Sequence, residues 1–141
     1  MKWHHRLVGV PYAIEGGAGD TLEHLHCWGL VRAAFRLAKD VELPSHDDIA
    51  PQGLRSWARV MGGSATASEW AEVSDQWQEL DVILMASRDG SKRYPTHCGI
   101  VTPEGLILHT EAHHSAVIVR PDHASVRNRI YGAYRHASLF T

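Results

Sequence analysis

Apolar residues in the first half of the chain recur at the spacing of one face of a helix. They are Leu30, Val31, Ala34, Phe35 and Ala38. This spacing, which follows a glycine-rich stretch at 15–20, predicts an amphipathic helix. We expect the helix to begin at an N-cap on Asp20 or Thr21, or later near Leu25, and to end at Leu43-Pro44 because proline disfavours helix before it.

A second helix is predicted directly after this unit. Ser45-His46-Asp47-Asp48 resembles a capping box, in which a serine is followed three residues later by an acidic residue. The helix would continue to about Met61 and end at Gly62-Gly63-Ser64. The pattern over residues 65–80 does not distinguish a helix from a strand.

The second half of the chain reads as a series of short strands. Apolar runs that fit strands fall at 81–85, 97–101, 106–109, 116–120 and 130–135. Because helices come first and the strands follow one another, the predicted class is α+β, with N-terminal helices packed on an antiparallel sheet. A chain of 141 residues fits one domain, here residues 1–141.

One hairpin has a register that the sequence predicts. The loop 103–105 reads Pro-Glu-Gly, which favours a three-residue turn closed by a left-handed glycine. Thr102 then pairs with Leu106, and His97 and His109 become diagonal neighbours on one face, about 7–8 Å apart at Cα. A two-residue loop would separate the two histidines by shifting the register. In the preferred register Cys98 points to the opposite, core-facing side.

Composition limits the classes of function. The net charge is −2, so the chain lacks the excess of basic residues that is typical of nucleic-acid-binding proteins. No apolar run approaches the ~18 residues that span a bilayer, and residues 1–10 lack the apolar core of a secretory signal. Two cysteines make no disulfide framework, and we expect them to be reduced. The unusual feature is a set of 11 histidines.

A cysteine and two histidines form a candidate catalytic group. Cys27 lies in the first turns of the predicted helix, where the helix N-terminus stabilises a thiolate. His97 could accept the thiol proton and His109 could orient it, as in papain-like cysteine hydrolases. Glu111, opposite His97 in the predicted register, is an alternative orienting residue.

Four blocks of the chain resemble the NlpC/P60 cell-wall peptidases, in that family's order. They are Val8-Gly9-Val10-Pro11-Tyr12 with Gly16-Gly17, His26-Cys27-Trp28-Gly29-Leu30-Val31, Asp81-Val82-Ile83-Leu84, and His97-Cys98-Gly99-Ile100-Val101 with Leu108-His109. The resemblance implies a papain-like fold in which Cys27 is the nucleophile, His97 the general base and His109 the third, orienting residue. It also implies that the Tyr12 hydroxyl helps to bind the oxyanion, and it implies no metal or other cofactor.

The resemblance further implies a substrate and a setting. Family members cleave the peptide stems of peptidoglycan, often after D-γ-glutamyl residues. Trp28 after the cysteine and Glu42-Leu43-Pro44 after the helix are similar to the phage-tail branch. We therefore expect a virion tail component, made in the host cytoplasm, that opens the wall and whose partners are the peptidoglycan stem peptide and other tail-tip proteins.

The chain departs from the family pattern at three positions. The usual Asp before the nucleophile is His26, the Gly before the strand aspartate is Leu80, and the residue after His97 is Cys98. His26 could alter the loop or weaken an enzyme. A non-catalytic tail-tip or wall-binding module on the same fold is therefore an alternative function.

A mixed zinc site is the remaining alternative. It would use His24, His26 and Cys27 with His97 or His109, although the chain lacks the paired short spacings of structural zinc sites. The other seven histidines are expected to be solvated or to cap local turns. They are His4, His5, His46, His113, His114, His123 and His136. The five tryptophans are expected to be core or packing residues, and the alternative for Trp28 is a place in the substrate groove.

Overall fold

A computed structural model describes seven stretches of the chain: 2–11, 20–21, 24–25, 27–43, 70–86, 97–111 and 115–140. The predicted second helix through Met61 lies outside them. The α-helix of the described stretches is α1, Cys27–Lys39. The strands are β1 (Asp20–Thr21), β2 (His24–Leu25), β3 (Trp70–Val73), β4 (Val82–Met85), β5 (His97–Val101), β6 (Ile107–His109), β7 (Val117–Val119) and β8 (Ile130–His136). Two 3-10 turns, Trp3–Arg6 and Ala137–Leu139, lie near the chain ends.

Helix α1 begins at Cys27 and ends in a turn closed by a left-handed residue. Asp40 adopts a left-handed conformation, with φ of +56°. The Asp40 N–H donates to the Arg36 carbonyl and the Val41 N–H donates to that of Phe35, which satisfies two terminal carbonyls. The later predicted start, near Leu25, is correct to within two residues, whereas the predicted end at Leu43-Pro44 is wrong because α1 already ends at Lys39. An N-cap on Asp20 or Thr21 is wrong, because these two residues form β1 and pair with β2.

Six strands form one antiparallel sheet in the order β3-β8-β4-β5-β6-β7. The predicted α+β class is confirmed. The segment that the sequence left ambiguous contributes β3, which pairs with β8 at the sheet edge. In the described part of the chain, no helix combines the length and hydropathy that crossing a bilayer requires.

The two faces of the sheet bury different residues, because successive side chains of a strand alternate between faces. The larger cluster packs the buried face of α1, including Trp28, Leu30 and Phe35, against residues such as Cys98 and Ile100. The opposite face buries a second cluster. Its fully or nearly fully buried members are Ile83, Met85, Val101, Ile107, Val126 and Ala133. Trp28 is 1% exposed, which confirms its predicted place in the core.

The β5–β6 hairpin has the predicted register. Ile100 pairs with Leu108 and Val101 with Ile107. The Thr102 N–H donates to the Leu106 carbonyl at 2.8 Å, so the loop has three residues. Gly105 closes it with φ of +83°, a conformation that costs an L-residue ~1–2 kcal/mol. The turn residue therefore determines which face receives each histidine.

A buried ion pair joins β4 to β8. The Asp81 carboxylate, fully buried, accepts from Nε and Nη2 of Arg135, both at 2.8 Å. This contact raises the pKa of the Arg135 guanidinium. Leu80 immediately before it has φ of +74°, which explains the glycine of the family pattern, while its side chain is 1% exposed and packs in the core.

Candidate active site

His97 and His109 form a direct contact between neighbouring strands. Nε2 of His97 and Nδ1 of His109 are 2.9 Å apart, and the two rings meet edge to face at 66°. Both side chains are buried, with residue exposures of 6% and 4%. One of the two facing nitrogens must carry a hydrogen for this bond to form. The prediction that the hairpin brings these two histidines together is confirmed.

Gly99 makes room for His109. A Cβ at this position would lie 3.1 Å from Cβ of His109 and 2.9 Å from Cγ2 of Ile107. The first of these is tighter than most real Cβ contacts and the second is closer than real Cβ atoms come. The close approach of β5 and β6 at the histidine pair therefore depends on the absence of a side chain at residue 99.

Cys27 is the first residue of α1, and its thiol contacts that of Cys98. Cys98 is completely buried, and burial raises the pKa of its thiol well above the ordinary value. A hydrogen bond with the Cys27 side chain raises it further, so the Cys98 S–H is the donor. The predicted core position of Cys98 is confirmed. Its contact with the candidate nucleophile was not predicted, and it places Cys27 beside the strand residue that follows His97.

Glu111 and Arg129 lie behind the histidine pair. Oε1 of Glu111 is 3.7 Å from Nδ1 of His109, and both its oxygens accept hydrogen bonds from Arg129. Burial alone would raise the pKa of Glu111, but Arg129 and the nearby imidazoles hold it below the ordinary value. Glu111 is thus an ionised neighbour of His109, although His109 is the residue that bonds to His97. The sequence offered no signal for Arg129, which comes from a distant segment.

His97, His109 and Glu111 also offer the kinds of ligand atom that bind a metal ion. One ligand atom each of His97, His109 and Glu111 lies within 4.8 Å of the others. However, the guanidinium of Arg129 occupies both oxygens of Glu111 and would repel a cation there. These residues fit a hydrogen-bonded network better than a metal centre. The zinc alternative remains a prediction, because His26 and the side chain of His24 lie outside the described residues.

Two residues of the predicted site cannot be placed. Tyr12 and His26 lie outside the described residues, so the oxyanion role of the Tyr12 hydroxyl and the effect of His26 stay predictions. The expectation for the other histidines needs one correction: His4 is buried, with 2% exposure, and not solvated. It was missed because it lies in a segment rich in basic residues, with Lys2, His5 and Arg6 close by in the sequence. His136 accepts from the Ser138 N–H and caps the last 3-10 turn, as predicted.

The arrangement defines a papain-like α+β domain, in which a cysteine opens a helix and a buried histidine pair lies on the adjoining sheet. The sequence profile of the NlpC/P60 family matches residues 9–135. The chain belongs to the NlpC/P60 family. No curated protein sequence matched it.

Solved structures share the fold. The chain is similar to a lipoprotein-like NLP/P60 family protein from Staphylococcus aureus subsp. aureus Mu50, with a TM-score of 0.59 and 21% identity. It is also similar to the NlpC/P60 domain of the peptidoglycan hydrolase SagA (0.55 and 16%) and to an NlpC/P60 family protein from Bacillus cereus ATCC 10987 (0.61 and 18%). Each match covers 93% of this chain, but it covers 38%, 91% and 37% of the three structures respectively.

Proposed function

We propose that the chain is a cysteine endopeptidase or amidase that hydrolyses peptide bonds in the stem peptides of bacterial peptidoglycan. The observation that carries this proposal is the buried 2.9 Å bond between His97 and His109, on strands of the sheet against which the Cys27 end of α1 packs. Family membership supports the cysteine chemistry. The description of SagA as a peptidoglycan hydrolase supports the substrate class.

The chemistry would proceed through a thioester on Cys27. His97 uses Nε2 for His109, which leaves Nδ1 to accept the thiol proton. The thiolate attacks the scissile carbonyl, and the protonated His97 then donates its proton to the leaving amine. A water, deprotonated by the same imidazole, hydrolyses the thioester and regenerates the thiol. His109 holds the ring of His97 and favours one tautomer during these steps.

The oxyanion would be bound at the start of α1. The backbone N–H of Cys27, in the first turn of α1, is one proposed donor, and the Tyr12 hydroxyl is the second. Each such donor is typically worth ~3–4 kcal/mol of transition-state stabilisation. The dipole of α1 supports the thiolate at the same position.

The test is hydrolysis of purified peptidoglycan, with released fragments identified by mass spectrometry. We expect release by the wild type and none by Cys27→Ala or His97→Ala. His5→Ala is the matched control, because His5 is an exposed histidine outside the site. Equal release by the wild type and Cys27→Ala would refute the nucleophile assignment. No release by any of them would favour the non-catalytic wall-binding module.

We further propose that the protein works in a phage tail and contacts other tail-tip proteins. Trp28 and Glu42-Leu43-Pro44, which resemble the phage branch, support this setting. In the structure Trp28 is buried, and Glu42 accepts hydrogen bonds from Arg32 and Arg36. Mass spectrometry of purified phage particles from the source strain tests the setting. Absence of the protein from particles, together with its presence in lysate, would refute it.

A further inference from the structure

Arg129 fixes Glu111 in a rigid bidentate pair. Nη1 donates to Oε1 at 3.0 Å and Nη2 donates to Oε2 at 2.8 Å. The guanidinium is itself held by the carbonyls of Ala86 at 2.9 Å and Ser125 at 3.0 Å. The side chains of Arg129 and Glu111 are only 13% and 14% exposed. This pair therefore has a defined geometry, unlike a mobile surface ion pair.

The pair lies beside the nitrogen that joins the two histidines. Oε1 of Glu111 is 3.7 Å from Nδ1 of His109, and the same Nδ1 is 2.9 Å from Nε2 of His97. The first distance is too long for a hydrogen bond. It is within the range at which a full charge changes the proton affinity of a neighbouring group.

The position of one hydrogen decides what His97 can do. If the hydrogen is on Nε2 of His97, Nδ1 of that ring has a free lone pair and can act as a base. If the hydrogen is on Nδ1 of His109, the neutral His97 carries its own hydrogen on Nδ1 and cannot accept a proton there. A carboxylate near Nδ1 of His109 favours the second arrangement when its charge is unpaired.

We propose that Arg129 and Glu111 are positioning residues that keep the shared hydrogen on Nε2 of His97. Glu111 borders His109, and Arg129 satisfies both carboxylate oxygens and cancels most of their pull on the hydrogen. The consequence for catalysis rests on the proposed function. The location of the hydrogen does not, because it is a property of the folded protein.

Other titratable groups border the histidine pair in the described part of the chain. Cys27, at the start of α1, contacts Cys98, which follows His97 in β5. His123 lines the same cavity of about 450 Å³ as His109, Glu111 and Arg129. Nδ1 of His123 is used by Ser125, at 2.7 Å from its Oγ. Because the cavity is open to water, we expect shifts of about one pH unit when one charge of the pair is removed, at the low end of the range for close charges.

The test is the titration and tautomer of the two imidazoles in the folded protein, followed by ¹⁵N NMR. Glu111→Gln leaves the Arg129 charge unbalanced, so the pH midpoint of the imidazole titration should fall by about one unit. Arg129→Gln leaves the Glu111 charge unbalanced, so the midpoint should rise by about one unit and the hydrogen should move to Nδ1 of His109. The double variant should return close to the wild type.

Two controls separate positioning from folding. Asp122→Asn removes an exposed carboxylate that pairs with Arg120, and it should leave the titration unchanged. Arg129→Lys keeps the charge, so its midpoint should stay near the wild-type value even if thermal stability falls. Glu111→Gln, with its expected downward shift, carries the test should Arg129→Gln not fold. The proposal would be overturned if the titration midpoint moved in the same direction in Glu111→Gln and Arg129→Gln. It would also be overturned if the midpoint of the double variant did not return close to the wild-type value.

The kinetic readout links the inference to the proposed activity. The acidic limb of the pH profile of kcat/KM should move to lower pH in Glu111→Gln and to higher pH in Arg129→Gln, in parallel with the titration midpoints from NMR. If the proposed function is wrong, the wild type will not hydrolyse peptidoglycan, but the variants will still show the expected changes in the imidazole titration midpoint. If this inference is wrong, the titration midpoints measured by NMR will not change as expected in Glu111→Gln and Arg129→Gln.

Discussion

Replacing Gly99 with alanine tests whether the histidine pair depends on the close approach of β5 and β6. The new Cβ would lie 2.9 Å from Cγ2 of Ile107, 3.1 Å from Cβ of His109 and 3.1 Å from the Leu108 carbonyl oxygen. Ordinary contact begins at 3.4 Å, so these atoms must retreat by a few tenths of an ångström. Strand β6 cannot move freely, because β7 pairs with its other edge.

We expect Gly99→Ala to lose stability and activity together. Overpacking of this kind costs ~1–3 kcal/mol, and each kcal/mol lowers the Tm of a domain of this size by about 4 °C. A 1 Å error in positioning can cost about a hundred-fold in rate, so a few tenths should cost about ten-fold in kcat/KM. The assays are thermal unfolding by circular dichroism and the rate of peptide release from peptidoglycan.

Gly105→Ala is the matched control in the same hairpin. Gly105 has φ of +83°, and a Cβ added there would have no atom within 4 Å. The substitution should therefore lower stability only through backbone strain, by ~1–2 kcal/mol. Its Tm should fall by a similar amount while its activity at low temperature stays at the wild-type level. Wild-type rate and Tm in Gly99→Ala would refute the reasoning. Equal activity loss in both variants would mean that stability alone explains the effect.

Three further predictions concern the core, the buried histidine and the second thiol. Asp81→Ala leaves Arg135 without its partner and should lower the free energy of unfolding by about 3–5 kcal/mol in urea titrations; a loss below about 1 kcal/mol would contradict this. Burial lowers the pKa of His4, so the unfolded chain takes up the proton first and stability is lost as pH falls below about 6.5. When the pH is lowered from about 8 to about 5, the Tm of His4→Phe should therefore fall by less than the Tm of the wild type, and an equal fall in both would refute this. Cys98→Val removes the S–H donor to Cys27, so the pH midpoint of Cys27 alkylation, measured by mass spectrometry, should rise, whereas an unchanged midpoint would show that the contact does not affect the thiolate.

The hairpin was predictable because a local feature determines it. A glycine at the left-handed position of a three-residue loop fixes the pairing, and the pairing fixes the face of every side chain in β5 and β6. His97 and His109 follow from that register alone. The start of α1 was less well determined, because Asp20 and Thr21 are good N-caps but are used in a short strand pair instead.

The surroundings of the histidines were not predictable in the same way. The contact of Cys27 with Cys98 arises when α1 packs on the sheet, and no local pattern encodes it. The pairing of Glu111 with Arg129 joins two segments that the sequence gives no reason to associate. Long-range packing decides both contacts, whereas spacing along the chain decides which residues share one face.

The division of the site between a hairpin and a helix has a consequence for the order in which it is assembled. His97 and His109 are joined through a short loop, so little chain entropy is lost when they meet. Cys27 reaches the sheet only through contacts distant in sequence, and Arg129 is translated after every other residue of the network. During synthesis the thiol thus emerges long before its neighbours. In the nascent chain Cys27 lacks these neighbours, so the proposed nucleophile would be activated only when the whole domain has folded.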